Sequence, residues 1–396
     1  MTTLLLSEVF PPKTGGSGRW YWEVYRRLPR AEYRIAAGED PRQAAFDRTH
    51  DLNVFRMPLA LPAWGLKSWA GLRGYYRALR RLRPLVRGHG VERVHAARCL
   101  PEGFMAWCLK RWFGVPYLCY VHGEEITCTS ASRELRWLAR RVVAGADFLI
   151  ANSRNTAGIA QELWKARPGR VRVLHPGVDT SRFTPAPPDP AARAALGWSG
   201  RRVVLTVGRL QRRKGHDQMI RALPAVAKAV PEVLYAIVGG GEEEPYLRRL
   251  AAEMGVADRV QFLGEPDDAG LVRCYRQCDL FVLPNRQEGM DIEGFGIVLL
   301  EAQACGKPVV AGASGGTAEA VGGPETGLLV DCTSAGALAA TVAGLLGDPE
   351  RLARMGEAAR RRVVERFDWG PLSREAEGLF RLLGRRGRTP AEVSPG

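Results

Sequence analysis

"DLFVLPNRQEGMDIEGFGIVLLEAQACGKPVVAG", residues 279–312, sets a strand, a loop, a helix and a second strand in immediate succession. "LFVLP" and "KPVVAG" are short apolar runs bounded by turn residues, the pattern of strands buried on both faces. Between them "GIVLLEAQACG" has the length and composition of a buried helix. A strand followed by a covering helix and another strand implies a parallel sheet flanked by helices. Glu293 and Glu301 stand at the ends of the apolar stretch. A carboxylate inside a buried helix costs several kcal/mol unless something pairs with it. The downstream "AQACGKPVVAG" offers Glu301 no basic partner, so a ligand is the expected one.

The same alternation extends in both directions. "RRVVLTVG", "VLYAIVGG", "RVQFLG" and "GLLV" read as further strands in the second half, separated by helices such as "DQMIRALPAVAKAV" and "AGLVRCYRQC". In the first half "TTLLLSEVF", "RVHAA", "PYLCYVHG" and "DFLIANS" alternate with "WYWEVYRRL", "EGFMAWCLKRWF" and "SRELRWLARRVVAG". The proline-rich stretch "HPGVDTSRFTPAPPDPAAR" (175–193) has no apolar period and reads as a connector. The chain is therefore expected to be two doubly wound, Rossmann-like α/β domains: residues 1–177, a linker at 178–193, and residues 194–366. A last helical stretch covers 367–386, and a polar tail, 387–396, is expected to be disordered.

With 396 residues, the chain exceeds one ordinary core, and its composition of 46% hydrophobic and 25% charged residues is that of a globular protein. "MTTLLLSEVFPP" lacks a basic n-region and a cleavage site, and no apolar run approaches about 20 residues. Neither a signal peptide nor a membrane span is expected. The eight cysteines include no CxxC pair, so no metal site or disulfide framework is expected and a cytoplasmic location is. The net charge of +15 lies in the first half: residues 1–190 hold 30 Lys+Arg against 16 Asp+Glu, and residues 191–396 hold 27 against 26. Between Asp51 and Glu92 there are eight basic residues and no acid, interleaved with Trp64, Trp69, Tyr75 and Tyr76. Such a stretch, residues 52–91, suits an anionic surface, and peripheral attachment at the inner face of the membrane is expected. A solvated helix face over a core of aromatic residues would account for it too. Nucleic acid is not an expected partner, because no module for it is present.

Several motifs fall on loops after strands. In "EGFGIVLLE" the glycines Gly294 and Gly296 allow close approach of backbone, with Phe295 and Ile297 beside them at the start of the helix, whose free N–H groups suit an anion. Glu301 lies about one and a half turns further on. One extended ligand that both glutamates could address is a nucleotide sugar, with Glu301 on the ribose and Glu293 on the sugar. A capping glutamate and a buried salt bridge would account for the same residues. "VGRLQRRKG" sets Arg209 and Lys214 about a glycine turn before the next helix, a diphosphate site by charge and oriented N–H groups; Arg212 and Arg213 read as solvated. "PPKTGGSG" places Gly15, Gly16 and Gly18 after the first strand, and "YVHGEE" places His122 after another, both at the carboxyl edge where such sheets bind ligands. "VGGGEEE" lacks the third glycine of a dinucleotide fingerprint. "DIE" and "DD" have no partners at metal-ligand spacing.

Taken in order across about 330 residues, "PPKTGG", "VHGEE", "HPGVDTSRFTP", "VGRLQRRKG", "VQFLGE", "EGFGIVLLEAQACGKPVVAG" and "TGLLV" resemble the retaining glycosyltransferases of family four. The members most like it are GDP-mannose-dependent mannosyltransferases acting on phosphatidylinositol mannosides. The resemblance implies the GT-B fold, two domains facing a deep cleft with the C-terminal helix crossing back to the first. It implies a nucleotide-sugar donor, GDP-mannose in these relatives, with no metal or other cofactor, and a membrane-lipid or glycan acceptor. Arg209 and Lys214 would neutralise the diphosphate, Glu301 hold the ribose, and Glu293 with the amides of Gly294 to Gly296 place the sugar. His122 would lie beside the reacting region, and Gly16 near the phosphates. "VHGEEIT" departs from those members, with Glu124 where they carry a second histidine. A transferase of the same fold using a UDP-sugar on a soluble or polysaccharide acceptor is the alternative.

Overall fold

The computed structural model describes residues 1–13 and 15–383. It divides into two compact units, one of Met1–Asn152, Ala157–Leu174 and, among the described residues, 372–383, the other of Ser153–Thr156 and His175–Pro371. The expected tail, 387–396, lies outside the described residues, as does the end of the expected 367–386 helix.

The first unit is a parallel sheet of seven strands: β1 (Thr2–Ser7), β2 (Tyr33–Ala37), β3 (Val54–Arg56), β4 (Val91–Ala96), β5 (Tyr117–Val121), β6 (Phe148–Ala151) and β7 (Val171–Val173), in the spatial order β3-β2-β1-β4-β5-β6-β7. The second has six: β8 (Arg202–Val207), β9 (Val233–Val238), β10 (Val260–Phe262), β11 (Leu280–Leu283), β12 (Val309–Gly312) and β13 (Gly327–Val330), in the order β10-β9-β8-β11-β12-β13. Each order runs outward one way from its first strand and then the other, so the winding reverses between β1 and β4 and again between β8 and β11. Crevices outside the carboxyl ends of strands at such reversals are where doubly wound sheets take ligands.

The central strands are apolar on both faces because helices cover both: every residue of β5, β9 and β12 is buried. The helix Trp369–Leu382 begins in the second unit and continues in the first, where Phe380 packs on the rings of Tyr25, Tyr33 and His95. The stretch expected to be a linker carries core residues. Val178 and Phe183 are in the second unit's core, and Arg360 donates to the carbonyls of Thr180 and Phe183. Its prolines end secondary structure without preventing burial of the apolar residues between them.

Candidate functional site

Two loops meet at the reversal in the second sheet. One leaves β8 at Gly208 and carries Arg209 to Lys214; the other leaves β11 at Pro284 and carries Asp291 to Gly296. Gly215 closes the first loop in the left-handed region, φ 72°, and a Cβ there would stand 1.7 Å from the Pro284 carbonyl oxygen. Only glycine lets the two loops come so close. Gly296, φ 90°, starts the helix Ile297–Ala304 in the same way.

This contact brings Lys214 and Glu293 together. Both are buried, and Lys214 Nζ donates to Glu293 Oε2 at 2.6 Å. Arg213 donates to the same oxygen at 2.6 Å and lies 3.2 Å from Asp291. Burial by itself would raise the Glu293 carboxyl, but Lys214 and Arg213 outweigh it and hold its pKa down at about 2. Burial draws the Lys214 ammonium below its ordinary value, and Glu293 opposes it. Arg213 thus belongs to the cluster rather than to solvent, which corrects the expectation for it. Arg212 next to it is 71% exposed. Arg209 is exposed, and among the described residues its guanidinium has no hydrogen bond or ion pair with the protein.

Glu301 is 4% exposed and accepts from the Tyr275 hydroxyl at 2.8 Å. Its carboxylate therefore has a protein partner, from the preceding helix Asp268–Gln277, which the sequence neighbourhood did not offer. Phe295 is 2% exposed and packs on His175 and Phe367, so its ring belongs to the core. The Glu293–Gly296 loop is braced from behind by Gly315 and Gly316: the Gly316 N–H donates to the Glu293 carbonyl, and a Cβ on Gly316 would meet the Gly294 carbonyl oxygen at 2.2 Å. Ile297 is half-buried in the first helical turn.

The other expected residues are in the first unit. Gly15 caps the helix Gly16–Tyr25 after β1, and His122 follows β5. His122 is buried against Trp20 and Tyr21, its Nε2 in contact with the Tyr21 hydroxyl and the Ala97 carbonyl. Burial pulls its pKa down to about 4. The ring is neutral near pH 7, with its proton on Nε2 facing the carbonyl. Beside it, Arg98 makes a bidentate bond to Glu102, which is fully buried, and reaches Glu8 at 3.2 Å.

Within 52–91 the aromatic residues divide. Tyr75 is buried and Trp64 lies against Arg98, whereas Trp69 and Tyr76 are 78% and 66% exposed. They flank an open groove of about 1460 Å³ between β3 and the helix Trp69–Gly88, with Arg73, Arg77, Arg80 and Arg81 along it. These four have no ion pair or hydrogen bond among the described residues, while Arg83 and Arg87 lie over Trp112 and Phe113. Among the described residues no group of three His, Cys, Asp or Glu is placed to hold a metal ion, and no helix is long and apolar enough to cross a membrane.

Two doubly wound parallel sheets, with the basic loop after β8 and the glutamate loop after β11 meeting at the reversal of the second, are the architecture of the GT-B class of glycosyltransferases. Residues 14–182 match the family described as Glycosyltransferase Family 4, and residues 189–362 match Glycosyl transferases group 1. The GDP-mannose-dependent alpha-(1-6)-phosphatidylinositol monomannoside mannosyltransferase of Mycolicibacterium smegmatis is 34% identical, over 97% of this chain and 98% of its own. The D-inositol 3-phosphate glycosyltransferase of Salinispora arenicola is 33% identical, over 96% and 89%. Among solved structures, Anabaena HepE in complex with UDP and glucose has the same fold, with a TM-score of 0.80 at 22% identity over 96% of this chain and 99% of that one. Sucrose-phosphate synthase of Thermosynechococcus elongatus has a TM-score of 0.79 at 25% identity over 96% and 98%. The chain belongs to glycosyltransferase family four.

Proposed function

We propose that the protein is a retaining, metal-independent mannosyltransferase that moves mannose from GDP-mannose to an inositol-phosphate headgroup of a membrane lipid at the cytoplasmic face. The observation that carries this is the joining of Lys214 and Glu293 at the sheet reversal, with Glu301 in the helix that follows, in a chain 34% identical to a GDP-mannose-dependent phosphatidylinositol monomannoside mannosyltransferase. Arg209 and Lys214 neutralise the diphosphate, Glu301 accepts from the ribose hydroxyls, and Glu293 with the Gly294–Gly296 amides orients the sugar. The acceptor hydroxyl attacks the anomeric carbon on the face from which the diphosphate departs. As the new C–O bond forms and the bond to phosphate breaks, the hydroxyl proton passes to the departing phosphate oxygen.

The lipid side rests on the helix Trp69–Gly88. Its four unpaired arginines present positive charge, and Trp69, Leu72 and Tyr76 are exposed apolar groups along it. Each Lys or Arg near an anionic leaflet contributes about 1 kcal/mol, weakened by salt. The test is thermal stabilisation by GDP-mannose, GDP, UDP-sugars and ADP-sugars. A ligand at 100 times its dissociation constant adds roughly 2.7 kcal/mol. Stabilisation by GDP and GDP-mannose alone is expected; stabilisation by UDP-sugars alone would overturn the donor assignment.

A further inference from the structure

Three polar side chains run through an otherwise apolar part of the second unit's core and end at the donor loop. Thr206 on β8 and Tyr235 on β9 are fully buried, and His216, first residue of the helix His216–Ala229, is 1% exposed. Their surroundings include Val204, Ile220, Ile237 and Val282. Hydrogen-bonding groups in such a place destabilise the fold unless each finds a partner. Each does. Thr206 donates to the Val282 carbonyl; the Tyr235 hydroxyl lies 3.1 Å from Thr206 Oγ1 and 3.1 Å from His216 Nδ1; His216 Nε2 lies 3.3 Å from the Arg209 carbonyl.

The partner of Nε2 fixes where the histidine's proton lies. Burial lowers the His216 pKa to about 4, so the ring is neutral and holds a single proton. A carbonyl can only accept, which puts that proton on Nε2. The single Tyr235 proton then serves either His216 Nδ1 or Thr206 Oγ1. The Thr206 hydroxyl then donates to Val282. The series ends on the backbone of Arg209, the one residue of the donor cluster whose side chain has no partner among the described residues to hold it in place.

We propose that His216 is a positioning residue for the diphosphate: it anchors the Arg209 carbonyl and so aims the Arg209 guanidinium, with the Tyr235 hydroxyl lying against its other ring nitrogen. This rests on the diphosphate role proposed above for Arg209. The test is calorimetric binding of GDP to the parent and to His216→Met, His216→Gln, Tyr235→Phe and Arg209→Ala, singly and with Arg209→Ala added to each of the others. His216→Met is expected to weaken GDP by about tenfold, the scale of coupling within one hydrogen-bonded network. His216→Gln, which keeps an N–H donor, should recover most of this, and Tyr235→Phe should lose less than His216→Met. In the Arg209→Ala background neither His216→Met nor Tyr235→Phe should weaken GDP further. A residue with a purely structural part would weaken binding equally in both backgrounds. Should Arg209→Ala alone leave GDP affinity unchanged, the proposed role of Arg209 fails and the inference with it. Should Arg209→Ala weaken GDP while His216→Met does not, or should the two losses multiply, the inference is overturned and the role of Arg209 stands. If His216→Met does not fold, the Tyr235→Phe pair decides between the same outcomes.

Discussion

Replacing Lys214 by methionine removes a charge from the middle of the Lys214–Arg213–Glu293 cluster and keeps most of the side chain's volume. In the parent, Lys214 and Arg213 both lie 2.6 Å from one oxygen of Glu293, and the carboxyl is held at about 2 against an ordinary value of 4.5. That difference corresponds to roughly 3 kcal/mol of interaction favouring the carboxylate over its acid. Removing one partner of a buried pair typically costs about 3–5 kcal/mol when the other charge is left alone. Arg213 remains here, so a loss nearer 1–2 kcal/mol of stability is expected, and the variant should fold. The effect on catalysis should be larger. A preorganised group facing developing charge is worth roughly 2.7–4 kcal/mol, a fall in kcat of about 10²–10³. The assay is release of GDP from GDP-mannose with acceptor present, alongside urea unfolding of the same preparation. Turnover within threefold of the parent in a folded Lys214→Met protein would show that Lys214 serves the fold and not the reaction.

Glu301→Gln should keep its bond from Tyr275 and fold normally, yet bind GDP about tenfold more weakly, since hydrogen bonds to a charged group contribute roughly 1.5–3 kcal/mol; equal affinity by calorimetry would remove Glu301 from the ribose. Changing Arg73, Arg77, Arg80 and Arg81 to glutamate should abolish co-sedimentation with phosphatidylglycerol vesicles at low salt while leaving GDP affinity unchanged; a parent protein that ignores such vesicles would contradict the membrane role of this helix. Stability should decline as pH falls from about 6.5 toward 4. His122 and His216 each resist protonation until about 4 in the folded chain but take up protons near 6.5 when unfolded, so acid favours the unfolded state. The expected slope is roughly 1.4 kcal/mol per histidine per pH unit, measured by urea unfolding at pH 7 and pH 5; a flat profile would mean that the rings are not buried neutral.

The second unit was more legible in sequence than the first because all six of its strands are marked by apolar runs, and its central strands are buried on both faces. In the first unit β2, β3 and β7 escape notice. β3 and β7 are three-residue edge strands, half-buried throughout, and β2 is a five-residue run inside "EYRIAAGED". In the site, the loops carrying Arg209, Lys214, Glu293 and Glu301 were visible as spacing after strands. Which of two adjacent arginines turns inward was not. The short 3₁₀ turn Arg212–Lys214 directs Arg213 to Asp291 and leaves Arg212 in solvent, and no local pattern encodes that rotation. Tyr275 meets Glu301 across two helices, and Gly316 braces Gly294 from a later strand's loop. Such contacts are properties of the packed sheet and carry no period in the chain. The prolines between Pro185 and Pro190 marked a linker in the sequence, and the burial of Val178 and Phe183 upstream of them has no period to announce it.

The central proposal is retaining mannosyl transfer from GDP-mannose. It is tested most directly by incubating the protein with GDP-mannose and phosphatidylinositol-containing vesicles in excess EDTA, then determining the configuration of the new glycosidic bond by NMR. The α-linked mannolipid, formed with one equivalent of GDP, is the expected result. A β-linked product, dependence on added divalent metal, or product formed only when a UDP-sugar replaces GDP-mannose would contradict it.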